Sequence, residues 1–198
     1  MADIDELLSL VRSKGIIRAR DLEEFRLTRK NLQKAVDLGL IVRLGRGLYA
    51  DADVQENPDF FFAQVCKQIP AGVVCLVSAL QFHKLGTQTP SEIWIAIPRH
   101  SYRPFIDYPP VNLVEFSPAA YELGIQHFDF KQTDIRVYSI EKTVVDCFRF
   151  RNQLGMDVAL EALKEYLARP GVAVDKLMQY AVRCHISTVI GPYVKALQ

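Results

Sequence analysis

The chain has 198 residues, enough for one or two domains. With 49% hydrophobic and 24% charged residues it has globular composition, which excludes disorder for the bulk of the chain. The longest nearly uncharged apolar run, Ala71 to Leu80, is far short of the roughly 20 residues of a membrane span, and the acidic start MADIDELLSL lacks the basic and apolar regions of a secretory leader. The expectation is a soluble, cytoplasmic protein with no membrane partner.

The net charge of +1 hides a segregation along the chain. Between Arg12 and Ala50 ten bases stand against four acids, a net of +6, whereas the remainder from Asp51 carries 14 bases and 16 acids. Such asymmetry points to a nucleic-acid-binding module joined to something else. The break falls near DADVQENP, Asp51 to Pro58. Two domains are expected, at 1–52 and 58–198.

Ile4, Leu7, Leu8 and Val11 recur at helical spacing, with Asp3 as a cap and Gly15 as the terminator. A short second helix is expected from Arg20 to Phe25. Thr28 caps a third helix that ends near Leu38-Gly39. At about 100° per residue, Leu32, Ala35 and Val36 fall on one side of it and Lys30, Gln33 and Lys34 on the other, with Arg29 in the first turn. Two short strands, Ile41 to Leu44 and Leu48 to Ala50, flank Gly45-Arg46-Gly47 and read as a hairpin.

Helix, helix, turn, helix and basic hairpin is the order of a winged helix-turn-helix. Its third helix buries an apolar face and turns a basic face to the major groove. Lys30 and Lys34 suit phosphates or guanine edges, and Gln33 suits adenine. Arg29 stands at the groove entrance, Arg20 and Arg26 clamp phosphates, and Arg43 and Arg46 serve as wing contacts. The alternative is a small helical domain that docks proteins and leaves its basic face to solvent. The stretch GIIRARDLEEFRLTRKNLQKAVDLGLIVRLGRGLYA, Gly15 to Ala50, with its L-x-R-G-L-Y ending, resembles the N-terminal domain of AbiEi-type antitoxins. That resemblance implies operator binding and autorepression in a type IV toxin–antitoxin, or abortive infection, system. Arg18 departs from it, standing where a small hydroxyl residue would cap the second helix.

Beyond Pro58 the pattern is α+β. Helices are expected over Pro58 to Ile69 and Val73 to Lys84, the latter with a strand-like start. Strands follow at Ile93 to Ile97, Val111 to Phe116, Ile125 to Phe130 and Ile135 to Tyr138. Residues 99 to 110 read as a loop or edge hairpin. Ser139 caps a helix to about Arg151, followed by helices over Asp157 to Leu167, Val174 to Cys184 and Ser187 to Leu197. Pro192 should break the last one or sit in its first turn. LVSALQFHKLGTQTPSEIWIAIPR, Leu76 to Arg99, and VYSIEKTVVDCFRFRNQLGMDVALEALKEYL, Val137 to Leu167, resemble the C-terminal AbiEi-type domain. The resemblance implies that this part counters a nucleotidyltransferase-like toxin, a role that need not involve a stable complex.

No catalytic residue, metal site or cofactor is expected. His83, His100, His127 and His185 form no H-E-x-x-H, Ser78 and Ser139 lack a G-x-S-x-G frame, and no phosphate-binding glycine motif is present. Cys66, Cys75, Cys147 and Cys184 have no metal spacing and read as buried thiols. The polar cluster Glu141, Lys142, Asp146, Arg149 and Arg151 lies on a helix. There Lys142 and Asp146 pair at i, i+4. It is either a solvated or sheet-covering ion-pair network, or an antitoxin or ligand surface formed by Lys142, Asp146, Arg149 and Arg151. Tyr102, Phe105, Tyr108 and Tyr121 either pack over the sheet edge or anchor a partner.

The expected function is a DNA-binding antitoxin, not an enzyme, acting on duplex operator DNA with inverted repeats upstream of its own operon. The alternatives are a ligand-sensing regulator without a toxin, and a C-terminal nucleotide-binding or enzyme domain with the N-terminal module as adapter. No heptad or clear dimer helix is visible, and the oligomeric state stays open.

Overall fold

The structure is a computed structural model that describes residues 2–25, 27–53, 57 and 59–197. Arg26 and Pro58 lie outside the described residues. The chain divides into two compact units. The first comprises residues 1–70, 105–110 and 128–135, and the second comprises 71–104, 111–127 and 136–198. The fold is α+β, as expected.

In the first unit α1 (Ala2–Lys14) is followed by β1 (Ile16–Arg18), a 3₁₀ helix (Ala19–Phe25) and α2 (Arg29–Asp37). A hairpin of β2 (Ile41–Gly45) and β3 (Leu48–Asp51) and then α3 (Phe60–Gln68) complete it. Helix α1 begins at Ala2, so Asp3 lies in its first turn and does not cap it. Three antiparallel strands in the order β1-β3-β2 form the sheet, with Ile17 opposite Tyr49 and Val42 opposite Ala50. Strand β1 was not expected: three residues are too few to show an alternating pattern. Leu7, Leu10 and Val11 of α1, Ile17, Leu22, Leu27 and Ile41 enclose Leu32 and Ala35 of α2 in one core.

The second helix is 3₁₀, not α. Its start is capped from within, because Asp21 Oδ2 accepts the Arg18 backbone N–H at 2.8 Å. The hydroxyl residue missing at position 18 is replaced by this acid three residues on. The Arg18 guanidinium is then free to donate to the carbonyl of Lys67 at the end of α3. That contact joins α3 to β1 within the first unit, which runs to residue 70, whereas the second domain is expected from 58.

The second unit carries β4 (Val73–Val74), α4 (Leu76–Phe82), β5 (Ile93–Pro98), β6 (Val111–Phe116) and α5 (Pro118–Tyr121). β7 (Ile125–Phe130) and β8 (Thr133–Tyr138) follow, with residues 128–130 and 133–135 counting with the first unit. Then come α6 (Ile140–Arg149), α7 (Arg151–Leu154), α8 (Met156–Leu167), α9 (Val174–Arg183) and α10 (Ser187–Leu197). The five strands run in the order β6-β5-β4-β8-β7, with β5 antiparallel to β4 and parallel to β6. Residues 99–110 form no strand, which removes the edge-hairpin option. The expected helix to Arg151 is instead α6 and the short α7. Helix α10 runs through Pro192 without a break. Pro192 removes the N–H that the Thr188 carbonyl would accept, and both residues are exposed, a position at which the lost bond costs least.

Helix α6 is buried all round: Glu141 through Phe148 are all in the interior. Val144, Val145, Cys147 and Phe148 join Leu80, Ala162, Leu163, Leu177 and Ile190 in the main core. Its opposite face carries Lys142, Asp146 and Arg149 onto a ring stack. Phe116 lies parallel to Tyr138 and to Phe150, with centroids 5.5 Å away in each case. Lys142 and Asp146 are both 0% exposed and ion-paired, and Arg149 Nη1 reaches Asp146 Oδ1 at 2.7 Å. Lys142 Nζ stands 4.3 Å from the Tyr138 centroid, and Arg149 Cζ stands 5.2 Å from that of Phe116. One carboxylate is thus neutralised by two cations whose remaining surface faces π clouds.

The turn into α6 is built on three hydrogen bonds. Ser139 Oγ accepts the Lys142 N–H at 3.4 Å, and the Tyr138 carbonyl accepts from Thr143 Oγ1 at 3.3 Å and His83 Nε2 at 2.7 Å. Burial lowers the His83 pKa from its ordinary 6.5, and the hydrogen bond to Tyr138 offsets this only in part.

Two predictions follow from this packing. Asp146→Leu should destabilise more than Lys142→Met, because Asp146 retains Arg149 when Lys142 is lost, whereas Lys142 retains nothing. Each should cost about 3–5 kcal/mol by denaturant unfolding, and the double substitution should recover part of that. Equal losses, or losses of surface size, would remove the triad from the core's support. The neutral His83 ring is the folded-state form, so its contribution is complete above pH 6.5 and is lost as pH falls through the lowered folded value. The fall in Tm between about pH 7 and about pH 5 should therefore be smaller in His83→Gln than in wild type; identical slopes would count against this.

Candidate nucleic-acid interface

Helix α2 is positioned by its cap and its core. Thr28 is extended and caps the helix, and Asn31 Oδ1 accepts its backbone N–H at 2.8 Å and its hydroxyl at 2.6 Å. This is the reciprocal half of a capping box. Leu32 and Ala35 then face inward, 1% and 0% exposed. The same turn geometry sets Arg29, Lys30, Gln33, Lys34 and Asp37 on the exposed side.

The electrostatics of that face are unusual for a surface helix. Arg29 and Lys30 occupy the first turn, where the helix dipole already presents positive charge, and no acid accompanies them. Lys30 and Lys34 are one turn apart, a like-charge spacing that costs a few tenths of a kcal/mol. Among the described residues none of the three has an ion-pair partner. Some bases elsewhere are paired, Arg12 with Asp51, Lys14 with Glu24, Arg103 with Glu115 and Lys176 with Glu141, whereas Arg20, Arg43 and Arg46 of the same unit have no ion-pair partner among the described residues. An uncompensated cation cluster at a helix N-terminus is chemically an anion receptor.

The other expected contacts are partly gathered. Arg46 is exposed in the two-residue turn Arg46-Gly47 of the β2–β3 hairpin, where Gly47 adopts φ +68°. Arg43 is exposed on β2, and its Nε donates to the Gly45 carbonyl at 3.2 Å, which holds it along the hairpin. Ala19 donates its N–H to the Gly47 carbonyl at 2.9 Å and fixes the hairpin to the 3₁₀ segment. Arg20 is exposed on that segment. Gln33 is not idle: its amide Nε2 donates to Asp37 Oδ1 at 2.8 Å, so reading a base would require release of that bond. Asp37 lies four residues on along the same face, a partner that no expected contact included.

The C-terminal cluster does not form a surface. Lys142 and Asp146 are enclosed, Arg149 is mostly buried over the ring stack, and Arg151 donates to the Phe148 carbonyl at 2.9 Å. For Lys142, Asp146 and Arg149 the expected antitoxin surface is corrected to a buried ion-pair network, because the aromatic rings of β6 and β8 cover that helix face, while Arg151 lies outside the network and is half-buried. Of the aromatics, Tyr121 is 5% exposed and donates to the Ala71 carbonyl, whereas Tyr102 and Phe105 are 84% and 86% exposed. Cys66, Cys75 and Cys147 are buried and Cys184 half-buried, all as thiols. Burial pushes Cys75, Cys147 and Cys184 up, away from the reactive thiolate. Among the described residues no three His, Cys, Asp or Glu side chains are grouped to hold a metal ion, and no helix is long and apolar enough to cross a membrane.

Comparison with known proteins bears on the same segment. Residues 5–50 match the family described as "Transcriptional regulator, AbiEi antitoxin". The match spans α1 through the β2–β3 hairpin and so contains every described residue of the candidate interface. No curated protein matches. Among solved structures the chain is similar to the crystal structure of the RV2827C protein from Mycobacterium tuberculosis. The TM-score is 0.56 at 13% identity, over 100% of this chain and 82% of that one. At that identity the likeness concerns the fold.

Proposed function

We propose that this protein is a DNA-binding transcriptional regulator of the AbiEi antitoxin type, in which the first unit acts as a winged helix. The observation that carries the reading is the unpaired Arg29, Lys30 and Lys34 on the outer face of α2. In this reading α2 enters the major groove with Lys30 and Lys34 on phosphates or guanine edges and Arg29 at the groove edge. Arg43 and Arg46 lie along the adjacent backbone, and Arg20 clamps a phosphate outside the groove. The match of residues 5–50 to a family of transcriptional regulators supports it. The finer reading is repression of its own operon at inverted repeats, in a type IV system of phage defence in the cytoplasm. The second unit then counters a nucleotidyltransferase-like toxin and itself catalyses nothing. The resemblance of Leu76 to Arg99 and Val137 to Leu167 to the C-terminal AbiEi-type domain supports that half.

The deciding experiment is binding of the full chain to its own upstream DNA across a salt series. Wild type should prefer that DNA to random duplex. The triple variant Arg29→Ala, Lys30→Ala, Lys34→Ala should lose the preference, and the slope of log affinity against log salt should fall by about 3, near one per phosphate contact. Equal affinity for random duplex in wild type would make the first unit a protein-docking module. The toxin half is read separately, by co-expression with an adjacent nucleotidyltransferase-like reading frame. The triple variant should still restore growth, and failure of both wild type and variant to do so would remove the antitoxin role.

A further inference from the structure

Helix α1 has an outer face that the candidate interface does not use and that the core engages only through part of Leu8. Leu7, Leu10 and Val11 point into the core. On the far side a shallow groove is lined by Asp5, Leu8, Ser9, Arg12 and Ser13. Leu8 is half-buried at its margin, and Asp5, Ser9, Arg12 and Ser13 are exposed. Asp5 has no ion-pair partner among the described residues, and Arg12 reaches Asp51 at 3.3 Å through a side chain that remains 67% exposed.

The order of these residues is self-complementary under a two-fold rotation. Asp5 and Arg12 are seven residues apart, which is two helical turns and about 10 Å, so they lie almost on one line along the helix. The midpoint of that line falls between Leu8 and Ser9, which flank it on opposite sides. Place a second α1 antiparallel on the first about that midpoint. Asp5 then meets the copy's Arg12 and Arg12 meets its Asp5, Leu8 packs on its copy, and Ser9 meets its copy with no bulk to hold the helices apart. A parallel arrangement would set Asp5 on Asp5 and Arg12 on Arg12. Charge complementarity therefore selects one occupant and one orientation.

We propose that the outer face of α1 is an isologous contact between two copies of this chain. The contact is small and its ion pairs are exposed, so the dimer is salt-sensitive and reversible.

Sedimentation velocity of the full chain without DNA tests this, so its outcome is separate from that of the DNA-binding reading. Wild type should associate reversibly. Asp5→Arg and Arg12→Asp should each weaken association at least about tenfold, and the double swap should bring it back to within about threefold of wild type, because each pair is restored with its sign reversed. Asp51→Ala should leave association intact, which separates the contact from the internal Arg12 bridge. In a Cys184→Ser background, Ser9→Cys should form a disulfide-linked dimer under mild oxidation and Asp37→Cys should not, with circular dichroism confirming that each variant is folded. A wild-type chain that stays monomeric at its solubility limit with no Ser9→Cys cross-link would overturn the proposal. So would a dimer indifferent to both reversals, or one that the swap fails to restore.

Discussion

The second unit depends on one buried carboxylate. Asp146 sits in the interior with Lys142 and Arg149 on its two oxygens, and the three lie on one stripe of a helix enclosed on every side. Moving any one of these charges out of water alone would cost several kcal/mol. The arrangement is tolerable because each charge has a partner, and because the exposed sides of the cations rest on Phe116, Tyr138 and Phe150. The rings in turn hold position through the stripe. Tyr138 lies at the end of β8, its hydroxyl donates to the Tyr121 carbonyl at 2.8 Å, and its own carbonyl anchors His83 and Thr143. Sheet, α4 and α6 are therefore tied at one residue. Burial and the nearby Asp146 charge raise the Tyr138 phenol well above its ordinary range, so it is held as a neutral donor.

One cluster in each unit shows cations handled in opposite ways. In the second, Lys142 and Arg149 are compensated and covered. In the first, Arg29, Lys30 and Lys34 are uncompensated and open, on a helix whose terminus already favours anions. A cation buried with a carboxylate carries information about the core; a cation left exposed at an unfavourable position carries information about a partner. That distinction, more than net charge, separates the Lys142 cluster from the α2 face, although both read as charged helical stripes.

Much of the first unit was legible in the sequence, for identifiable reasons. The face of α2 follows from the period of Leu32, Ala35 and Val36, its start from Thr28, and the hairpin from glycines at 45 and 47. What escaped was short or non-local. Strand β1 has three residues and gains its identity only by pairing with β3. The role of Asp21 as cap depends on the bend at Arg18, and the Gln33–Asp37 bond depends on side chains that periodicity places together but does not orient. The Lys142–Asp146 pair was legible as a pair. Whether it was solvated or covered by the sheet was not, because nothing local in positions 140–149 records that rings from residues 116 and 138 cover that face. Residues 105–110 and 128–135 count with the first unit for the same reason: their contacts are far away in sequence.

The position of the uncompensated charges on α2 follows from what the small unit can spare. Its core rests on about ten side chains, and Leu32 and Ala35 fix α2 within it. Two bases in the first turn oppose the helix dipole by roughly 0.3–1 kcal/mol each, and the Lys30–Lys34 spacing adds a few tenths. The Thr28–Asn31 cap contributes about 1 kcal/mol at the same end, and the packed face contributes more. The cap therefore sits where the repulsion is greatest, and the net cost of keeping three cations open stays within what the core supplies. An acid at any first-turn position would relieve the repulsion and shield the same bases from a phosphate. The absence of acid there and the presence of a strong cap are two sides of one requirement: a helix end that stays folded while it presents positive charge outward.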